Sequence, residues 1–123
     1  MDIFDTDTGP QIFHGKTLTS KVSLREVCEA IMTYGFVASQ YPLIISAEIH
    51  CGLVGQAQLV GIMKGVFKDR LVRRDENGAI VGMSEATQSL DRTSEVLLSA
   101  STIEKLPSPE ELKGRILVKV IIF

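Results

Sequence analysis

The chain has 123 residues, of which 45% are hydrophobic and 23% charged, and its formal net charge is −2. This composition predicts one globular core and argues against nucleic acid as a partner, since a charge so close to zero provides no basic surface. No apolar run approaches the roughly 18 residues of a membrane span. The two cysteines, Cys28 and Cys51, lack metal or redox spacing, so we expect buried free thiols rather than a disulfide.

The first predicted elements are a short strand over residues 11–14 and a helix that begins after Ser23. Ser23 and Glu26 have the spacing of a capping box, in which each side chain bonds a free amide at the helix start. Apolar residues then recur at helical spacing up to about Tyr34, which predicts one buried helix face.

A continuous apolar run follows over residues 43–47, bounded by Pro42 and Glu48. Such a run predicts a strand buried on both faces. Residues 56–67 carry apolar side chains at helical spacing and predict a second helix. From residue 68 to 105 the sequence is polar and rich in serine and charge, and we interpret it as a mobile insertion.

The last predicted elements are a short helix and a strand over residues 115–122. Residues 108–111, SPEE, form a second capping box with proline at the first helical position, and Gly114 ends that helix. Strands that alternate with helices predict an α/β fold with a parallel sheet. Since an α/β barrel needs about 200 to 250 residues, the chain has the length of about half of one.

Three polar residues lie at or near the C-terminal ends of predicted strands: His14, Glu48 and Lys119. In a barrel these strand ends converge on the face where active sites are built. Each residue also has a simpler explanation. His14 could be a surface or core histidine, Glu48 a solvated carboxylate, and Lys119 a surface lysine.

Three ordered segments carry a family resemblance. Residues 13–21 read FHGKTLTSK, residues 39–51 read SQYPLIISAEIHC, and residues 106–119 read LPSPEELKGRILVK. In this order and spacing they resemble the X region of eukaryotic phosphoinositide-specific phospholipase C. The resemblance extends from about residue 2 to 119 and is weakest between residues 69 and 105.

The resemblance implies a partial TIM-like (β/α) barrel, of which residues 1–123 would form about half, the X half only. We expect the missing Y half to be the partner that completes the barrel. Residues 1–5 and 116–122 are strand-like, and we expect both ends of the chain to continue elsewhere.

The resemblance also implies roles for four residues. His14 matches the second catalytic histidine, which steadies charge on the transferring phosphoryl group. Asp2 and Glu48 match calcium ligands, and Lys119 matches a lysine that holds a ring phosphate of the substrate. The family pattern continues with a basic residue where this chain has Ile121. We assign packing roles to His50 and Cys51.

The function implied is calcium-dependent hydrolysis of phosphatidylinositol 4,5-bisphosphate to diacylglycerol and inositol phosphate, by a cytoplasmic enzyme that acts at membrane surfaces. The isolated chain should hydrolyse this lipid poorly or not at all, since other family site residues belong outside it. Two alternatives stay open: an inactive relative that binds lipid or a partner, and a phosphodiesterase that needs no calcium.

Overall fold

The computed structural model describes residues 1–13, 20–74, 76–77, 80–81 and 107–123. The main sheet contains five strands: β1 (Asp2–Phe4), β2 (Gln11–Ile12), β3 (Val22–Ser23), β4 (Leu43–His50) and β7 (Ile116–Ile122). A small hairpin joins β5 (Arg73–Arg74) to β6 (Ile80–Val81). The helices are α1 (Leu24–Tyr34) and α2 (Leu53–Phe67), and a 3₁₀ turn (Lys68–Arg70) follows α2.

The main sheet is mixed, in the order β3-β2-β1-β4-β7. The strands β1, β4 and β7 are parallel, whereas β2 and β3 are antiparallel to their neighbours. The α/β class is confirmed, but the prediction of a parallel sheet was wrong. Only residues 5–10 connect β1 to β2, and a parallel connection needs a dozen residues or more.

The first helix forms as predicted. The Ser23 hydroxyl accepts a hydrogen bond from the Glu26 amide at 3.2 Å, so the helix is capped at its N-terminus. Its apolar face is buried through Leu24 and Cys28. Both thiols are free and buried, as expected.

The central strand β4 is buried on one face, so the prediction of two buried faces was wrong. Ile45, Ala47 and Ile49 are buried, whereas Ile44 is 71% exposed. The core under that face includes residues of both helices, the strands and the turn after α2. Its buried members are Ile3, Leu24, Cys28, Phe36, Ile45, Ala47, Ile49, Cys51, Leu59, Met63, Phe67, Leu71 and Ile116. The opposite face of the sheet is therefore available for a site.

The predicted insertion overlaps residues that belong to the packed fold. Leu71 is buried and forms a parallel bridge with Ile116, and the Val72 amide bonds the Ile116 carbonyl at 3.0 Å. Residues 82–106 lie outside the described part of the chain. The insertion as a whole stays a prediction.

The predicted helix after Pro107 is a series of turns. Ser108 and Glu111 make both bonds of the capping box, at 3.3 and 3.2 Å. The Leu112 amide donates a hydrogen bond to the Ser108 carbonyl, four residues earlier, as in an α-helix. The Lys113 amide instead donates to the Glu110 carbonyl, three residues earlier. Gly114 then takes a φ of 72° and ends the segment before a regular helix is established.

The described helices give no membrane span: neither α1 nor the 15-residue α2 is long and apolar enough to cross a bilayer.

Gly55, in the first turn of α2, has no room for a side chain. A Cβ there would lie 2.7 Å from Asp5 Cγ and 2.9 Å from Cys51 Cβ. We expect Gly55→Ala to lower the free energy of unfolding by about 1–3 kcal/mol. Gly61→Ala is the matched control, because a Cβ at Gly61 meets nothing within 4 Å and the change should stabilise the helix by about 0.5–1 kcal/mol. Denaturant unfolding measures both, and equal effects would contradict the prediction.

Candidate cation site

The face of the sheet opposite the helices carries polar side chains. Side chains alternate along a strand, so Ser46, Glu48 and His50 lie opposite the buried Ile45, Ala47 and Ile49. In the parallel register of β1 and β4, Asp2 pairs with Glu48 and Phe4 pairs with His50. The pairing brings two carboxylates and an imidazole together where the start of β1 lies beside the C-terminal end of β4.

Asp2, Glu48 and His50 form a cluster that can hold a metal ion. One ligand atom from each residue lies within 4.8 Å of the other two. The His50 Nε2 atom lies 3.9 Å from Asp2 Oδ1, and these side chains are 28% and 24% exposed. Two ligands of a calcium ion, each bound at 2.3–2.6 Å, are separated by at most about 5 Å. The spacing of the cluster is therefore compatible with a cation of the size of calcium.

Four aromatic rings form a column beside the cluster, and we call Phe13, Phe4, His50 and Phe123 the ring column. Phe4 and Phe13 stack with centroids 4.5 Å apart. The His50 ring lies between Phe4 and Phe123, with centroids 4.3 and 4.6 Å away and interplanar angles of 6° on both sides. The ammonium group of Lys21 lies 4.9 Å from the Phe13 centroid. The column restricts rotation of the imidazole.

Lys119 lies on the same face as the cluster, but it is in the middle of β7 rather than at its end. It pairs with Ser46, and β7 continues to Ile122. Ile121 pairs with Glu48, so an apolar residue is the neighbour of the cluster on this side. The lysine is exposed, and its pairing partner Ser46 lies two residues before Glu48 in β4.

His14 lies outside the described residues, and so does most of the segment that carries it. The described chain ends at Phe13 on one side and resumes at Ser20. Phe13 belongs to the ring column. The catalytic role of His14 therefore stays a prediction, as do the roles of Asp2, Glu48 and Lys119.

Asp5 and the Cys51 thiol belong to the packing beside the cluster. The Asp5 carboxylate accepts a hydrogen bond from the Gly52 amide at 2.8 Å, which places a negative charge at the N-terminus of α2. Burial, together with the nearby Asp5 carboxylate, raises the pKa of the Cys51 thiol to about 11. Burial likewise raises the pKa of Cys28 to about 11. Both thiols stay protonated near neutral pH and are poor metal ligands.

His50 was assigned to packing, and its ring does stack between Phe4 and Phe123, but it also lies in the cluster with Asp2 and Glu48. A signal was present: Glu48 and His50 are two positions apart in a strand, and that spacing places them on one face. The strand was predicted to end at residue 47. It continues to His50 because β1 pairs with its last residues.

The chain matches a known protein family over almost its whole length. The sequence profile described as phosphatidylinositol-specific phospholipase C, X domain, matches residues 1–121. This chain belongs to that family. The resemblance carried by the three sequence segments is thereby confirmed, and the family is one of phosphoric diester hydrolases.

Relatives of this phospholipase C family match most of the chain. The 1-phosphatidylinositol 4,5-bisphosphate phosphodiesterase delta-3 of Mus musculus is 42% identical over 89% of this chain and 11% of its own length. The delta-3-A protein of Danio rerio is 40% identical over 97% of this chain and 12% of its own length. The chain thus spans about a tenth of these curated relatives.

Solved phospholipase C structures share the fold. The crystal structure of L. pealei PLC21 superposes with a TM-score of 0.70 at 26% identity, over 95% of this chain and 13% of that one. The S. officinalis PLC21 structure gives a TM-score of 0.67 at 24% identity, over the same shares.

Proposed function

We propose that this chain forms part of the catalytic region of a calcium-dependent phosphoinositide phospholipase C. The protein would hydrolyse phosphatidylinositol 4,5-bisphosphate to diacylglycerol and inositol phosphate, working from the cytoplasm at membrane surfaces. The observation that carries the proposal is the pairing of Asp2 with Glu48 in adjacent parallel strands. The names of the relatives support the substrate.

The chemistry of the donor set fits calcium. Asp2 and Glu48 offer carboxylate oxygens, the ligands that calcium prefers. Calcium takes 6–8 oxygen ligands, so water, the lipid and further protein residues would supply the others. When bound, the ion would neutralise developing negative charge and lower the pKa of a coordinated hydroxyl group.

The remaining predicted residues act on the phosphates of the substrate. His14 would donate a hydrogen bond to the phosphoryl oxygens, where negative charge builds in the transition state. Lys119 would contact a ring phosphate as a point charge, and its exposure on the site face supports this role.

We also propose that the chain forms about half of a (β/α) barrel, the X half. One edge of β7 pairs with β4, and along its other edge the described residues pair only at Ile116, with the segment of Leu71 and Val72. A second half-barrel beside β7 would extend the sheet and bring further residues to the same face. We propose the Y half of the phospholipase barrel as that partner.

Removal of calcium tests the proposed function. With the chain joined to a Y half, and phosphatidylinositol 4,5-bisphosphate in phosphatidylcholine vesicles, EGTA in excess magnesium should lower inositol phosphate release at least about 100-fold, equivalent to roughly 3 kcal/mol of transition-state stabilisation. Added calcium should restore the rate. Residues 1–123 alone should show little or no release.

Activity that survives chelation would contradict calcium dependence and select the calcium-independent phosphodiesterase. The inactive, ligand-binding relative is favoured by one observation: Ile121, opposite Glu48, is apolar and 43% exposed. Binding of inositol trisphosphate without any turnover, in a protein with both barrel halves, would support that alternative.

A further inference from the structure

The candidate cation site contains a nitrogen ligand that calcium does not require. We propose that His50 is a metal ligand and that Asp2, Glu48 and His50 together bind Zn²⁺, which thereby competes with calcium. The proposal rests on the cation site proposed above, but it does not depend on lipid hydrolysis.

The donor set is the first argument. Calcium prefers oxygen ligands, whereas imidazole nitrogen suits zinc and its neighbours in the first transition series. Two carboxylates and one imidazole make three protein ligands, the number that open zinc sites use before water occupies the fourth position. An all-oxygen cluster would give no reason to expect zinc here.

The distances are the second argument. In the tetrahedral geometry of zinc sites, two ligands bound at about 2.1 Å are roughly 3.4 Å apart. The Asp2 Oδ1–His50 Nε2 distance of 3.9 Å exceeds this separation by about 0.5 Å. The three ligand atoms lie within 4.8 Å of one another, so closing around zinc requires each separation to shorten by at most about 1.4 Å.

The ring column is the third argument. Phe4 and Phe123 cover both flat faces of the His50 imidazole, so a ligand can approach only in the plane of the ring. The nitrogen lone pair lies in that plane, and the Nε2 edge is the one nearest Asp2. The stacked rings therefore hold the imidazole where it can bind a metal beside the carboxylate, which lowers the ordering cost of binding.

His50→Phe is the decisive variant, because it retains a flat ring between Phe4 and Phe123 and removes the nitrogen ligands. We expect calorimetric titration of the chain with Zn²⁺ to show at least about 10-fold weaker binding in this variant. Calcium binding should change less than about 3-fold. Glu48→Gln is the matched comparison and should weaken the binding of both ions. Far-UV circular dichroism of each variant checks the fold.

Imidazole ¹H–¹⁵N spectra then identify the ligand directly. The chain has two histidines, and His50→Phe assigns their signals. Zinc should shift the His50 signal, and calcium should reverse that shift at high concentration. The inference is overturned if His50→Phe binds zinc as tightly as the original chain, or if zinc shifts only His14. Cobalt spectra with sulfur charge-transfer bands would also overturn it, by assigning the metal to a thiol.

The failure of this inference differs from failure of the proposed function. If zinc does not bind through His50 but calcium-dependent hydrolysis is observed, only the proposed role of His50 as a metal ligand is rejected. Zinc binding through His50 in a protein that does not hydrolyse phosphoinositides would leave the site in place and remove the phospholipase proposal.

Discussion

Glu48→Gln should lower calcium-dependent hydrolysis of phosphatidylinositol 4,5-bisphosphate by about 100- to 1,000-fold, equivalent to about 3–4 kcal/mol. Glutamine has nearly the same shape as glutamate but no negative charge, and Glu48 pairs with Asp2 at the centre of the cluster. The loss should therefore appear as a higher calcium requirement and a lower maximal rate. Inositol phosphate release from vesicles, measured across a calcium titration with both barrel halves present, gives both quantities.

The control for this variant is Glu29→Gln, which makes the same chemical change on the exposed side of α1. It should keep the original rate within about 2-fold, since isolated surface charges contribute little. If Glu48→Gln retained more than half of the original activity, or if both variants lost activity equally, Glu48 would not be a ligand of the catalytic metal.

Phe67→Ala should lower the free energy of unfolding by about 3–5 kcal/mol. Phe67 ends α2 and is fully buried in the core beneath the sheet. Its truncation removes apolar contacts and leaves a cavity that the surrounding side chains cannot fill. For a domain of marginal stability this loss approaches the whole free energy of unfolding. Urea unfolding followed by circular dichroism measures the effect.

Leu53→Ala provides the comparison on the same helix. Leu53 is 84% exposed, so its truncation should change the free energy of unfolding by less than about 0.5 kcal/mol. A small effect of Phe67→Ala, similar to that of Leu53→Ala, would contradict the packing of α2 against the sheet.

Several elements were predictable because their signals are local. The Ser23–Glu26 spacing predicted the start of α1, and the hydroxyl–amide bond is present. The apolar run at residues 43–47 predicted β4, although its length was underestimated. The SPEE segment correctly predicted two capping bonds. The helix predicted after it is replaced by turns, because the few residues before Gly114 do not establish a regular helix.

The candidate site was predictable only in part. Asp2 and Glu48 were assigned through resemblance to a family, and the structure brings their carboxylates together in one cluster. The position of His50 in this cluster was not predicted, because the strand was expected to end before it. Its position depends on β1, which is distant along the chain and pairs Phe4 with His50. No local pattern contains that information.

The sequence by itself determined the α/β class, the two helices, the central strand, the free thiols and the resemblance that the family profile confirms. These properties follow from short-range spacing, composition and motif order. The tertiary structure alone decided the mixed sheet, the single buried face of β4 and the approach of Asp2 to His50. Strand register is set by which face of each strand packs against the helices, so it depends on contacts between distant parts of the chain.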